Sequence, residues 1–202
     1  MTTAEQKRDH RRHQILDAAK AVFAERGFHN ASINEIIKSA SIARGTFYLY
    51  FTSKDAVFQS ILDSALVGLN AQIIGVDMSP GSEAPNVQLH QNVTRVLEYF
   101  LADRALIQLV ITYGFAPDSE SALGVDAFFG HVLELIERSL TYGMALGLVQ
   151  KCDAGLCAAQ ILGSLRGGIQ RLTTAQEDLD VADVASQLVD FALYGVIARP
   201  QD

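Results

Sequence analysis

Apolar residues recur every three or four positions along most of the chain, which is the spacing of one face of an α-helix. Residues 11–26 show this spacing first, with Ile15, Ala19, Val22 and Phe23 on one face and charged side chains outside it. The pattern predicts a first helix over residues 11–26.

A capping signal marks the start of a second helix. Gly27 follows the first helix as a residue that readily adopts the left-handed conformation of a helix C-terminus. The sequence Ser-Ile-Asn-Glu at residues 32–35 is a capping box, in which Glu35 reaches back to the backbone of Ser32. These signals predict a second helix over about residues 33–40.

The next two helices follow closely. Ser41 and Ile42 form a short turn before a third predicted helix over about residues 44–51. Ser53 is a suitable N-cap for a long fourth helix whose apolar face continues to about Ile74. Three short helices with such a turn between the second and third are typical of a helix-turn-helix, although the same spacing fits any small helical bundle.

The remainder of the chain is also helical in pattern. Residues 75–86 hold two prolines, two glycines and two serines, which predicts a loop. Five further helices are predicted over about residues 87–102, 104–114, 121–149, 153–173 and 180–198. We therefore expect an all-α fold of about nine helices. Residues 1–55 would form an N-terminal arm and a three-helix DNA-binding domain, and residues 56–202 a larger ligand-binding and dimerisation domain.

Composition narrows the class of protein. The chain has 202 residues, of which 49% are hydrophobic, enough to bury a full core. Its polar start and the lack of long apolar runs argue against a signal peptide and a membrane span. Cys152 and Cys157 are expected on different helix faces as reduced thiols. We expect a cytoplasmic protein without membrane contact, cofactor or metal.

Charge is distributed unevenly. The net charge of −7 argues against a nucleic-acid partner when taken alone. Residues 1–55, however, carry nine Lys and Arg against six Asp and Glu, a net charge of +3. The remaining residues carry seven Lys and Arg against seventeen Asp and Glu, a net charge of −10. A basic N-terminal segment on an acidic body can face DNA with one end, although a purely solvated asymmetry would look the same.

The third predicted helix carries an unusual mixture of side chains. Phe47 and Phe51 are four residues apart and can anchor it to the first two helices. Its other side chains project outward or sideways: Arg44, Thr46, Tyr48 and Tyr50. Contacts to phosphates and base edges explain such a surface better than core packing does. Gly45 lets the backbone approach DNA closely, and Lys54 begins the fourth helix, where the helix dipole favours a phosphate.

Several of these positions form a recognisable pattern: Ala18-Ala19, Phe23, Gly27-Phe28, Ser32-Ile33, Ile36, Gly45-Thr46-Phe47-Tyr48, Phe51 and Lys54. With them, residues 12–62 resemble the DNA-binding domain of the TetR family almost throughout. The resemblance implies a sequence-specific transcriptional regulator, usually a homodimeric repressor released from a palindromic operator by a small ligand. It also implies DNA contacts by Ser32, Arg44, Gly45, Thr46, Tyr48, Tyr50 and Lys54.

The sequence departs from the family pattern at the turn and at the recognition helix. Family members often have Gly where this chain has Ser41, and Ser or Thr where it has Ala43, so we expect an uncapped recognition helix. Tyr50 stands where His is frequent. The basic cluster at residues 7–13 fits either an arm on the DNA backbone or minor groove, or a disordered, solvated tail.

The C-terminal part carries no motif of a common enzyme class, so we expect no catalytic site. The excess of Phe, Leu and Ile over charge in residues 87–149 predicts a mainly apolar effector. Candidate lining residues are Phe100, Tyr113, Phe115, Phe128, Phe129, His131, Tyr142, Arg166 and Gln170. Ordinary core packing is the alternative for each aromatic residue. Arg166 lies in an apolar stretch and needs a carboxylate such as Glu134 or Glu137, or an anionic ligand.

Small and apolar residues on the last two predicted helices suggest a four-helix bundle between two subunits. The residues predicted at this interface are Ala159, Leu162, Gly163, Leu188, Phe191 and Gly195. The alternative is that this stripe packs within its own chain. Two other classes of function stay open: a ligand-independent architectural DNA-binding protein, and an enzyme or carrier on a helical scaffold.

Overall fold

The structure is a computed structural model that describes residues 3–113, 122–174 and 179–194, and the regular elements within those ranges are α-helices. They are α1 (Thr3–Arg26), α2 (Ile33–Ser39), α3 (Arg44–Tyr48), α4 (Lys54–Gln72), α5 (Pro85–Leu101), α6 (Arg104–Tyr113), α7 (Ala122–Ala145), α8 (Ala154–Thr174) and α9 (Val181–Tyr194). The predicted all-α fold is confirmed.

The capping signals place three helix boundaries correctly. The Glu35 N–H donates to Ser32 Oγ at 3.3 Å, and the Ser32 N–H donates to the Glu35 carboxylate at 2.9 Å, which completes the capping box of α2. Ser53 Oγ accepts from the Ala56 N–H at 3.1 Å at the start of α4. Gly27 has φ +75° and ends α1.

Helix α1 begins at Thr3, eight residues before the predicted start. The basic cluster at residues 7–13 is therefore helical, and the alternative of a disordered tail is wrong. No Gly or Pro interrupts residues 3–26, and polar contacts such as that of Arg11 Nη1 with Gln14 Oε1 (2.7 Å) support the helix. Arg12 fixes it to α4 by donating to Ser60 Oγ at 3.0 Å.

Helix α7 ends earlier than the pattern predicts. The apolar spacing continues to Val149, but Gly147 has φ +73° and its N–H donates to the Met144 carbonyl at 3.1 Å. The Leu148 N–H donates to the Gly143 carbonyl at 2.9 Å. These two bonds form a Schellman motif, which satisfies the last carbonyls of the helix and stops it at Ala145.

Packing divides the chain into two compact units, Met1–Val67 with Arg104–Phe129, and Gly68–Asp103 with Gly130–Asp202. The first unit therefore includes α6, which packs against α1. This division by packing differs from the functional division at residues 55 and 56, which stays a prediction about where DNA and ligand bind.

An aromatic cluster fills the described core of the first unit. The Phe28 ring centroid lies 5.4 Å from that of Phe23 and 4.9 Å from that of Phe58. Tyr113, the last residue of α6, packs edge-on to Phe58 at 5.7 Å, and its hydroxyl accepts from the Phe28 N–H. The end of α6 thus holds the turn that joins α1 to α2.

In the second unit, α5 packs against α9 and α8. Ala158 and Ala185 are fully buried, and His90 Nε2 lies 3.4 Å from Asp190 Oδ1 across α5 and α9. A Cβ on Gly68 would clash with the ring and hydroxyl of Tyr99, so a larger residue there would require the Tyr99 side chain to move.

The two cysteines interact, contrary to the expectation that they lie on different faces of a helix. The hydrogen bond with Cys157 raises the pKa of the Cys152 thiol. Cys152 precedes α8, so helical spacing does not apply to it. Among the described residues, no helix combines the length and apolar character needed to cross a membrane.

Candidate nucleic-acid interface

The turn between α2 and α3 contains a serine in the left-handed region. Ser41 has φ +51°, its N–H donates to the Lys38 carbonyl at 3.1 Å, and the Ile42 N–H donates to the Ile37 carbonyl at 3.2 Å. This is a Schellman motif with Ser41 in the place that glycine usually takes. The motif ends α2 and turns the chain into α3.

Helix α3 is anchored by the two phenylalanines that the sequence suggested. Phe47 is fully buried, Phe51 is buried, and their ring centroids are 6.1 Å apart. Ala43 takes the N-cap position in extended conformation and makes no side-chain cap bond, as predicted. The helix therefore depends on its aromatic anchors and not on capping.

The opposite side of α3 faces solvent. Arg44 and Gly45 are exposed, and Tyr48 is 44% exposed. Thr46 and Tyr50 are half-buried. A Cβ on Gly45 would meet nothing within 4 Å, so the backbone there is open to an incoming surface. The structure thus brings five of the seven predicted DNA-contact residues onto or beside one short helix.

A polar contact joins α2 to α3 on this side. Arg44 Nη1 donates to Asn34 Oδ1 at 3.1 Å, and the Arg44 guanidinium lies 5.7 Å from the centre of the Tyr48 ring. These contacts position the Arg44 guanidinium in the free protein. Asn34, which is exposed and was not predicted, supplies an amide able to bond a phosphate or a base edge.

Ser32 is a capping residue in the free protein. Its hydroxyl donates to Glu35 Oε2 at 2.8 Å, and Glu35 Oε1 lies 3.1 Å from Arg26 Nε. The hydrogen bonds from Ser32 and the charge of Arg26 lower the pKa of Glu35. A DNA phosphate at Ser32 would therefore meet a hydroxyl already bonded to a carboxylate.

Lys54 does not present its ammonium group to the surface of α3. Its Nζ lies 2.6 Å, 3.2 Å and 3.0 Å from the carbonyl oxygens of Phe28, His29 and Ala31. The predicted phosphate contact of Lys54 does not fit this arrangement, because an ammonium has three N–H groups and each faces a carbonyl.

Leu49 is a second exposed residue that the sequence did not indicate. It is 78% exposed and lies between Tyr48 and Tyr50, where α3 ends. The pattern predicted a helix continuing to Phe51, and an apolar residue within such a helix is usually assigned to the core. Its exposure offers an apolar contact to sugars or thymine methyl groups.

The candidate effector residues fall in both units. In the first, Tyr113 and Phe128 are buried and Phe129 is half-buried. In the second, Phe100 is buried and Arg166 is half-buried. The three others in the second unit are exposed: His131, Tyr142 and Gln170. Phe115 lies outside the described residues. Tyr113 is a core residue bonded to the α1–α2 turn, and Tyr142, 62% exposed, is a surface residue.

An open pocket of about 500 Å³ lies in the DNA-binding segment. Its lining is mainly polar and includes His10, Gln14, Asp17, Ser39 and Ser41. It does not match the predicted apolar effector cavity in chemistry or in position. Two of its lining residues are joined by a hydrogen bond, in which Gln14 Nε2 donates to the Ala40 carbonyl at 2.8 Å.

The residues predicted at a dimer interface divide into two groups. Ala159 and Gly163 are exposed on α8, and Phe191 is 48% exposed on α9. Leu162 is buried, and Leu188 packs against Gly168 of its own chain, so these two serve the fold of the single chain. Gly195 lies outside the described residues.

Two helices joined by a tight turn, with a buried anchor and an exposed polar and cationic side, define a helix-turn-helix DNA-binding protein. Residues 15–61 match the model of the bacterial regulatory proteins, tetR family. The chain is 47% identical over 62 residues to the HTH-type transcriptional regulator YvdT of Bacillus subtilis, which is 31% of this chain and 32% of that protein.

Two comparisons extend over nearly the whole chain. The HTH-type transcriptional regulator YdgC of Bacillus subtilis is 24% identical over 198 residues, 95% of each protein. The solved structure of the transcriptional regulator FadR from Bacillus subtilis in complex with stearoyl-CoA matches with a TM-score of 0.75 and 20% identity, covering 91% of this chain and 98% of that one. Residues 15–61 are thus similar to the DNA-binding segment of tetR-family transcriptional regulators, and the chain shares its fold with a solved transcriptional regulator.

Proposed function

We propose that the protein acts as a homodimeric repressor that binds a palindromic operator and leaves it when a mainly apolar ligand binds. The observation that carries the DNA-binding part is the surface of α3, where Arg44, Gly45 and Tyr48 are exposed over the buried Phe47. A short helix with this anchor and this surface has the chemistry to enter a major groove.

The contacts divide by type. Arg44, held by Asn34, is placed to donate to the acceptor edge of a guanine, which reads sequence. Thr46, Tyr48 and Tyr50 carry hydroxyls that suit phosphates, which fix orientation and affinity, whereas the Ser32 hydroxyl is occupied by Glu35. The bare backbone at Gly45 allows close approach. The exposed basic residues Lys7 and Arg8, at the start of α1, add electrostatic attraction.

Selection of bound duplexes from a random pool tests this proposal. The wild type is expected to enrich an inverted repeat. Arg44→Ala should relax preference at one position of each half-site, whereas Tyr48→Phe should weaken binding to all sequences about equally. Failure of the wild type to enrich any sequence would contradict the proposal. An unchanged preference in Arg44→Ala would contradict only the role of Arg44.

For the effector we propose an amphipathic molecule with a long apolar chain, and a long-chain acyl-CoA is the first candidate to test. The support is the apolar composition of residues 87–149 and the stearoyl-CoA bound to a protein of the same fold. Arg166 is half-buried, and burial lowers its pKa, so it suits an anionic group. A structural pair with Glu134 or Glu137 is the alternative.

Titration of stearoyl-CoA into the protein–operator complex tests the effector, with stearate and coenzyme A alone as controls. We expect stearoyl-CoA to release the protein from the operator, and we expect less release in the Arg166→Met variant. A ligand changes DNA affinity only if it binds the two protein states unequally. Tight binding of stearoyl-CoA with unchanged operator affinity would therefore contradict the proposed coupling. We further propose that the protein is cytoplasmic, because a regulator must reach the DNA that it binds.

A further inference from the structure

The ammonium group of Lys54 sits in a nest of backbone carbonyls. It lies 2.6 Å from the Phe28 oxygen, 3.0 Å from that of Ala31 and 3.2 Å from that of His29. The same group lies 4.5 Å from the centre of the buried Phe28 ring. Three acceptors and an aromatic face surround one cation, and the side chain is half-buried.

The position of Lys54 on its own helix does not explain this arrangement. Lys54 is the first residue of α4, where the helix dipole is positive and disfavours a cation. Its ammonium instead reaches residues 28–31, the turn that joins α1 to α2, where the carbonyls supply negative partial charge. The lysine therefore gains its stabilisation from the turn.

That turn sets the start of the DNA-reading helices. The Ala31 carbonyl that Lys54 bonds belongs to the residue before Ser32, the N-cap of α2. On its other side the turn is fixed by Tyr113, whose hydroxyl accepts from the Phe28 N–H. Loss of Lys54 would free three carbonyls and loosen the start of α2, and with it the Asn34–Arg44 contact to α3.

We infer that Lys54 is a positioning residue for DNA binding: it clamps the α1–α2 turn through the Phe28, His29 and Ala31 carbonyls and makes no phosphate contact of its own. The inference rests on the proposed DNA surface of α2 and α3. It assigns to Lys54 a role opposite to the phosphate contact that its place in the family pattern implies.

The shape of the cation separates the two roles. A phosphate contact accepts either Lys or Arg. Three carbonyls converging on one nitrogen suit the compact ammonium and not the planar guanidinium, whose donors lie on separate nitrogens in one plane. Lys54→Arg is therefore the informative variant, and Lys54→Met, which keeps the apolar stem and removes the charge, is its partner.

The experiment measures binding of wild type, Lys54→Arg and Lys54→Met to a random-sequence duplex and to the selected operator over a range of salt concentrations. We expect both variants to lose at least about tenfold in DNA affinity, equivalent to about 1.4 kcal/mol. The dependence of their affinity on salt concentration should equal that of the wild type. The inference would be overturned if Lys54→Arg bound DNA with an affinity within twofold of wild type. It would also be overturned if the slope of log affinity against log salt concentration were lower by about 1 in Lys54→Met.

Amide hydrogen exchange shows whether the loss passes through the turn. In both variants, exchange should accelerate at residues 31–36 and stay unchanged in α5 and α9, with the folded fraction confirmed by circular dichroism. Uniform acceleration across all helices would mean that Lys54 serves only global stability and would overturn the positioning role.

The wild-type protein provides a measurement that needs no variant. At low temperature, the ¹⁵N-ammonium signal of Lys54 should be visible in the free protein, because carbonyl bonds slow its proton exchange, and should not shift when duplex DNA binds. A signal that appears only with DNA would overturn the inference. A wild-type protein that binds no duplex would contradict the proposed function. The signal in the free protein would still show whether Lys54 is bonded to the carbonyls of the turn.

Discussion

Ser41 holds a conformation that costs a non-glycine residue free energy. Its φ of +51° closes the turn after α2, and the side chain is exposed, so no contact requires a serine there. Ser41→Gly should raise the free energy of unfolding by about 0.5–1 kcal/mol, because it relieves the left-handed strain and loses part of that gain to backbone entropy.

The control for this prediction lies two residues away. Ser39 is exposed at the end of α2 in helical conformation, and Ser39→Gly should lower stability by up to about 1 kcal/mol. Urea unfolding of both variants gives the comparison. A Ser41→Gly protein less stable than wild type would show that the turn does not carry this strain.

Glu35 couples stability to pH. Its hydrogen bonds with Ser32 and the charge of Arg26 depress its pKa in the folded state below the ordinary value of 4.5. A depressed carboxyl pKa contributes stability that is fully present above the unfolded value and is lost as pH falls through the folded value. Stability should therefore decline more steeply below about pH 4.5 in wild type than in Glu35→Gln.

Denaturant unfolding at pH 7 and at pH 3 measures this difference. Glu35→Gln should be the less stable protein at pH 7, and the gap should narrow at pH 3. An equal gap at the two pH values would mean that the carboxylate charge contributes nothing to the capping box.

Side-chain partners were the part of the site that the sequence could not supply. Phe47 and Phe51 were recognisable as anchors because their four-residue spacing belongs to one helix. Lys54 and the carbonyls of residues 28–31 are more than twenty positions apart, and backbone acceptors leave no mark in a sequence. The exposure of Leu49 was hidden for a related reason, because it depends on where α3 ends.

At the scale of helices, boundaries set by capping residues were predictable and those set by a single turn were not. The Ser32 capping box begins α2 where expected. The Schellman motif at Gly147 ends α7 although the apolar spacing continues beyond it. Helix α1 extends to Thr3 because charged residues without Gly or Pro form helix readily even where no apolar face predicts it.

The missing cap of α3 gives a prediction for a whole element. Ala43 already has the extended backbone of an N-cap, with φ −73° and ψ 150°, but makes no cap bond. Ala43→Ser should stabilise the protein by about 0.5–1 kcal/mol, because its hydroxyl would accept from a free N–H of α3. Thermal unfolding measures the gain.

Ser53 provides the reciprocal variant. Its hydroxyl caps α4 at 3.1 Å, and Ser53→Ala should destabilise by about 1 kcal/mol. If Ala43→Ser gave no gain while Ser53→Ala gave the expected loss, the start of α3 would be closed to capping.

At the scale of the whole molecule, the proposed dimer depends on the exposed stripe of α8. Gly163 is exposed, and a Cβ placed on it would meet nothing within 4 Å. Gly163→Leu should therefore fold as a single chain. Its larger side chain should clash at an interface between two chains and give a monomer with reduced operator affinity. Solution mass and helical content, measured together, test this.

Gly163→Ala is the matched control and should stay dimeric, because one methyl group fits a small-residue seam. A folded Gly163→Leu protein that remained dimeric would place the interface elsewhere. Unfolding of Gly163→Leu as an isolated chain would contradict the open surroundings of Gly163.

We propose that two copies of the α2–α3 surface read one inverted repeat, and the mass of the protein–DNA complex combined with footprinting measures this. We expect an even number of chains on each selected duplex and protection of two half-sites about one or more helical turns apart. One chain protecting a single asymmetric site would contradict it.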